Sequence, residues 1–231
     1  MRALVLLAAM LVVAGCGGLS ANQVLSGAQE RTAGFETLRF SVEGSAGDYR
    51  FAGQGAVDNR ARRSQLSVDL GAEGAAELVL DGSVLYVRLD GLRHAPPLAT
   101  PWVSADLETV GAMLGDRLGE LTEWAAEGPS RVLEQLRAVG EVEELGSERV
   151  RGVETTRYRA LVRPPGAPDD RAVPVDVWID GDGLVRRLRA AHGTAAATVT
   201  VELYDFGADV AIEPPAPEQV TALDELLQGT R

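Results

Sequence analysis

The sequence predicts an α+β domain of about ten antiparallel strands flanking two central helices. Three observations predict it. Apolar and polar residues alternate with period two in two long blocks, from Leu38 to Leu89 and from Val142 to Phe206, punctuated by Gly, Asp and Asn. Between the blocks the apolar period lengthens to that of a helix. A short capped helical window precedes the first block.

The chain opens with Arg2, an apolar run of eleven residues from Ala3 to Val13, and the small residues Ala14 and Gly15 ahead of Cys16. Eleven residues are too few to span a bilayer, and the order of features is that of a secretory leader. Val13-Ala14-Gly15-Cys16 resembles the lipobox of bacterial lipoproteins, in which the thiol receives a diacylglycerol before the leader is cut. The expectation is a leader over residues 1–15 and a single domain over 16–231, held at the extracytoplasmic face of the cell membrane through Cys16. Two acyl chains, at about 0.8 kcal/mol per buried methylene, suffice for stable anchoring.

After Cys16, Ser20 or Asn22 caps a helix that shows Val24, Leu25 and Ala28 on one side and ends near Gly34. Strands follow from Leu38 to Val42, Tyr49 to Val57, Ser64 to Leu70, Ala75 to Leu80 and Ser83 to Leu89. A proline-rich break, His94 to Pro101, leads to Ser104, which caps a helical window whose Leu107, Val110, Leu114, Leu118 and Leu121 share a face. Gly111, Gly115 and Gly119 weaken it, at about 1 kcal/mol each relative to alanine, which makes this helix the candidate for a movable gate. Pro129 starts a second helix that ends by Gly140. Strands return at Val142 to Gly146, Thr155 to Val162, Val173 to Ile179, Leu184 to Ala191 and Thr198 to Phe206, with Asp180-Gly181-Asp182-Gly183 as a hairpin turn. Beyond Pro214, Pro215 and Pro217, the spacing of Val220, Leu223, Leu226 and Leu227 reads as a last short helix.

Composition narrows the function. A chain of 231 residues that is 45% hydrophobic can bury a core without disulfides, for it has one cysteine. Its net charge of −12 predicts neither a nucleic-acid partner nor binding to an anionic surface by charge. All 22 basic residues are arginine, the mark of a high-GC genome rather than of a function.

Several phrases, in this order, are similar to those of a known family. They are Leu85-Tyr86-Val87 before Trp102-Val103, then Gly152-Val153-Glu154-Thr155-Thr156-Arg157-Tyr158, then Val175-Asp176-Val177-Trp178-Ile179-Asp180 with Gly183-Leu184-Val185, then Tyr204-Asp205-Phe206-Gly207. The chain resembles the LolA/LolB-like lipoproteins, especially their LppX/LprG-type branch. That resemblance implies a curved antiparallel half-barrel wrapping around a few helices, an apolar cavity for acyl chains, and a strand at Trp102-Val103. It also implies a role in carrying or presenting a lipid or lipidated molecule in the cell envelope.

The residues expected to line such a cavity are Phe40, Val42, Leu66, Val68, Leu78, Leu80, Leu114, Leu118, Tyr158, Val177 and Leu188. Taken singly, each is better accounted for by ordinary core packing, and alternation alone does not tell a filled core from a hollow one. Enzyme chemistry is not expected. His94 and His192 sit in a loop and at a strand end, Cys16 is consumed by its lipid, and no phosphate loop, G-x-S-x-G or dinucleotide fingerprint is present. Counting an EF-hand from Asp180 puts Val185 where glycine is needed and Ala191 where glutamate is needed, so no metal and no cofactor are expected. Arg60, Arg62 and Arg63 read as solvated turn charges, Arg157, Arg159 and Arg163 as the exposed face of a strand, and Glu141, Glu143, Glu144 and Glu148 as surface. The reading from another class is a protein-binding scaffold or sensor at the membrane, with an envelope protein as partner.

Overall fold

The computed structural model describes residues 20–95, 98–109, 142–162, 172–192 and 197–229. The leader, Cys16, Leu114, Leu118 and all but the first turn of the expected central helices lie outside the described residues.

Helix α1 (Ala21–Ala33) starts at Ser20, the first of the two expected caps. The Ser20 hydroxyl accepts from the Gln23 N–H at 3.3 Å, and the Gln23 side-chain oxygen accepts from the Ser20 N–H at 2.8 Å, which satisfies two end donors reciprocally. Leu25, Ala28 and Thr32 fall on one face and are buried.

Twelve strands form one open, curved, mostly antiparallel sheet. They are β1 (Thr37–Ala46), β2 (Tyr49–Asp58), β3 (Arg63–Asp69), β4 (Ala75–Asp81), β5 (Val84–Arg88), β6 (Trp102–Asp106), β7 (Glu143–Val150), β8 (Val153–Val162), β9 (Val173–Asp180), β10 (Val185–His192), β11 (Ala197–Tyr204) and β12 (Val220–Ala222). Their spatial order is β12-β6-β5-β4-β3-β2-β1-β11-β10-β9-β8-β7, so the two sequence blocks meet where β1 pairs with β11. Ten of the strands are those that alternation predicts, and β6 is the one the family resemblance implies.

β12 is a correction. Residues expected to begin a helix instead pair in parallel with Trp102–Ser104 of β6, and helix α2 (Leu223–Gly229) starts only after them. The extended segment between β11 and β12 explains this. It crosses one face of the sheet, where the Gly207 N–H donates to the Thr37 carbonyl at 2.8 Å and the Thr37 hydroxyl to the Ala208 carbonyl at 2.7 Å. Val210 and Ile212 then pack on Ala56, Val79 and Trp102, which delivers Val220 to the β6 edge. A second correction concerns Ser104, which lies inside β6; the turn that follows is capped by the Asp106 carboxylate, which accepts from the Glu108 N–H at 2.9 Å.

Strand directions give the sheet two rims. The first carries the turns at 47–48 and 71–74, the start of β7 and, because the Val142 N–H donates to the Asn22 side-chain Oδ1 at 3.0 Å, the start of α1. The second carries the turns at 59–62, 82–83, 151–152 and 181–183 and the end of α1, where the Val185 N–H donates to the Thr32 hydroxyl at 2.9 Å. The expected Asp180 to Gly183 turn is present, with the Asp180 carboxylate accepting from the N–H groups of Asp182 and Leu184 at 3.0 and 2.9 Å.

Candidate functional site

Register turns the alternation into continuous rows across the sheet. One row runs Tyr158, Val177, Leu188, Val201, Val42, Gly53, Val68, Ala76 over eight strands. The next runs Leu203, Phe40, Gly55, Leu66, Leu78, Val87, Val103, and a third runs Leu38, Val57, Ser64, Leu80, Leu85. All nine described residues of the expected lining set fall on this one face. Eight of them belong to a single apolar cluster that also takes in Leu25 and Ala28 of α1, and Leu80 packs with Leu85 beside it. The face toward α1 is therefore the apolar, concave one.

Glycines let this face bend and close up. A Cβ on Gly55 would stand 2.3 Å from the Gln65 carbonyl oxygen and 2.4 Å from Phe40 Cζ, and one on Gly44 would stand 2.2 Å from Phe51 Cζ. Phe40 is opposite Gly55 and Phe51 opposite Gly44, so each ring covers the bare backbone of its cross-strand neighbour. Alternation alone did not reveal this role; the signal was the Gly53-Gln54-Gly55 spacing, which puts two glycines on the apolar side of β2.

The opposite face is closed by charge. The Asp176 carboxylate accepts from Arg159 at 2.8 and 3.2 Å and also from Arg157. The Trp178 indole, 2% exposed, lies between the Arg157 and Arg187 guanidinium groups, 5.0 and 5.2 Å from its centroid, and donates to Glu148 at 2.8 Å. Arg187 also donates to Glu202 at 2.7 Å, and Arg151 links Glu202 to Ser41. Arg157, Arg159 and Glu148 stand on the outer face as expected; what alternation did not foresee is that Arg157 and Glu148 are bonded around Trp178 and that Arg159 is paired with Asp176. Arg63 departs from its expected role, pairing with Asp81 at 2.9 Å and donating to the Ile212 carbonyl at 3.4 Å instead of standing free at the turn. The missed signal was Asp176 and Trp178 on the polar parity of a β9 run that otherwise reads as continuous apolar sequence.

Of the ionisable groups shifted by these surroundings, Tyr158 and Asp176 bear on the two faces. Burial raises the Tyr158 phenol above its ordinary value of 10.0, with the Glu144 charge adding to it, so the ring stays neutral on the concave face. Burial also pushes the Asp176 carboxyl up, but the hydrogen bonds and charges of Arg159 and Arg157 outweigh this and hold it below its ordinary 3.8. Among the described residues no three His, Cys, Asp or Glu side chains come together as a metal would require. His94 is exposed in its loop. Two surface pockets of about 320 and 290 Å³ lie at the first rim, one beside Arg50 and Asp69, the other beside Asp90 and Thr100, and none of the expected lining residues borders either. The concave face is aliphatic and aromatic, and seven of its nine expected lining residues are buried, with Val68 and Leu78 half-buried.

Among solved structures the chain is similar to LprF from Mycobacterium bovis, at 16% identity and a TM-score of 0.57, over 84% of this chain and 96% of that one. It is likewise similar to the lipoprotein LppX of Mycobacterium tuberculosis, at 15% identity and a TM-score of 0.58, over 84% of this chain and all of that one. The fold is therefore of the LolA/LppX type. No family model and no curated protein matches the sequence.

Proposed function

We propose that this chain is an envelope lipoprotein, anchored by a diacylglyceryl group on Cys16, that encloses a lipid or acylated molecule against the concave face and carries or presents it without covalent chemistry. The observation that carries the reading is the partition of the sheet. One face is aliphatic and aromatic in three adjacent rows, while the other is closed by ion pairs and a strap. Withdrawing an acyl chain from water yields about 25 cal/mol per Å² of surface, and an apolar wall is all that this needs. Tyr158 on β8 and Val42 and Phe40 on β1 would contribute to that wall. LppX, one of the proteins that share the fold, is itself a lipoprotein, which supports the reading of residues 13–16.

The test is native mass spectrometry of the full chain purified from the membranes of a lipoprotein-processing bacterial host, followed by organic extraction. A stoichiometric acylated adduct that stays with the folded protein and leaves on unfolding is the expected result. A clean unliganded mass after incubation with phospholipid vesicles would overturn lipid binding. It would favour the scaffold or sensor role, with an envelope protein in place of the lipid.

A further inference from the structure

We infer that the first rim of the sheet faces the bilayer, with the hairpin tip at Tyr49 at headgroup level. The inference rests on the proposed anchoring at Cys16 and goes beyond it. Four residue steps separate Cys16 from Ser20, and four extended residues reach at most about 14 Å. Ser20 is held in place by its capping box, and α1 is fastened at its start to β7 through Asn22 and Val142 and at its far end to β10 through Thr32 and Val185. The tether therefore leaves the body at the first rim, with little slack.

The β1–β2 turn stands on the same rim. β2 is three strands from β10, on which α1 packs, a lateral offset of about 14 Å. At its tip Gly47 takes a left-handed turn with φ of 61°, and Tyr49 is 73% exposed, the most exposed large apolar side chain among the described residues. A tyrosine with an apolar ring and a polar end suits the membrane–water boundary. The opposite rim, with Arg60 and Arg62 at its β2–β3 turn, is ten residues of β2 away, about 30 Å. Charge adds a condition. Asp48, Asp69, Glu73 and Asp90 outnumber Arg50 and Arg93 at the first rim, so the acyl tether, not attraction to anionic lipid, holds it there. The surface it fits is zwitterionic.

Amide hydrogen exchange on the full processed chain, free in detergent-free buffer after delipidation and then on phosphatidylcholine vesicles, tests this. Amides 47–50 are expected to exchange severalfold more slowly on the vesicles while amides 59–62 are unchanged, and Tyr49→Ser should remove most of that protection. Protection at 59–62 instead, equal protection at both turns, or none at either overturns the orientation. Intact mass at Cys16 and vesicle flotation report on the anchoring separately. If the host leaves the thiol unmodified, anchoring fails as a reading, and the same chain coupled through Cys16 to a maleimide-headgroup lipid still decides the orientation by the same exchange pattern.

Discussion

Thr32→Val isolates the fastening of α1 across the concave face. Thr32 and Val185 are both fully buried. The Thr32 hydroxyl donates to the Ala28 carbonyl at 2.6 Å and accepts from the Val185 N–H at 2.9 Å, the contact that joins the end of the helix to the start of β10. Valine keeps the shape of threonine and removes both. The Ala28 carbonyl loses only a secondary partner on a helix end, but the Val185 N–H is left in a site with no room for water. An unsatisfied buried donor costs about 1–3 kcal/mol. For a domain of this size, about 2–4 °C of melting temperature goes with each kcal/mol, so a drop of roughly 2–12 °C is expected. Urea unfolding gives the free energy, and exchange of the Val185 amide gives the local cause. Thr32→Ser is the control: it keeps the hydroxyl and loses one methyl, about 1 kcal/mol, with the Val185 amide still protected. A Thr32→Val protein as stable as the parent, with its Val185 amide equally slow, would refute the reasoning.

Three further outcomes follow from the geometry. Asp176 binds its proton in the unfolded chain near 3.8 and in the folded chain below that, so its contribution to stability is fully present above the unfolded value and lost as pH falls through the depressed native one; the stability gap between the parent and Asp176→Asn should close on acid titration over that window, and a gap independent of pH would contradict the assignment. Leu78→Arg, on the second concave row, should abolish the lipid adduct in native mass spectrometry, whereas Gln54→Arg, on the opposite face of β2, should leave it intact; equal loss in both would mean the concave face is not the binding surface. Gly55→Ala places a methyl 2.3 Å from the Gln65 carbonyl and 2.4 Å from the Phe40 ring, an overpacking worth about 1–3 kcal/mol, and an unchanged urea midpoint would show that the backbone there yields more easily than the close approach implies.

Local patterning made most of the fold legible. Leu38, Phe40 and Val42 against Arg39, Ser41 and Glu43 mark both a strand and which face of it is buried, and the structure keeps that parity along β1 and through its neighbours. The capping of α1 and the Asp180 turn depend on residues within a few positions, so they too could be read. What escaped depends on distant partners. Val220, Thr221 and Ala222 have no strand pattern of their own and become one because the strap presents them to the β6 edge. β7 shows almost no buried residue except Val150, as befits an edge, so alternation ends at Gly146 although pairing continues. Asp176 and Trp178 interrupt nothing that composition can see. Their meaning comes from Arg157, Arg159 and Arg187 being set opposite them on β8 and β10.

Those long-range features bear on function through what they remove from competition. A single curved sheet exposes two broad faces, and any apolar surface on the outer one would itself seek a partner. On the convex side, Ala56, Val79 and Trp102 lie under the strap with Val210 and Ile212, and Trp178 lies under two guanidinium groups. Neither cover supplies a reactive group or a specific pocket; each takes apolar area out of contact with water. The apolar residues of the sheet are thereby gathered in the concave rows, where glycines at 44, 53 and 55 leave space that the Phe51 ring, the Leu66 side chain and the Phe40 ring occupy. The rings of Phe40 and Phe51, laid over the backbone of Gly55 and Gly44, tie the composition of β2 and β1 to the close packing of this face.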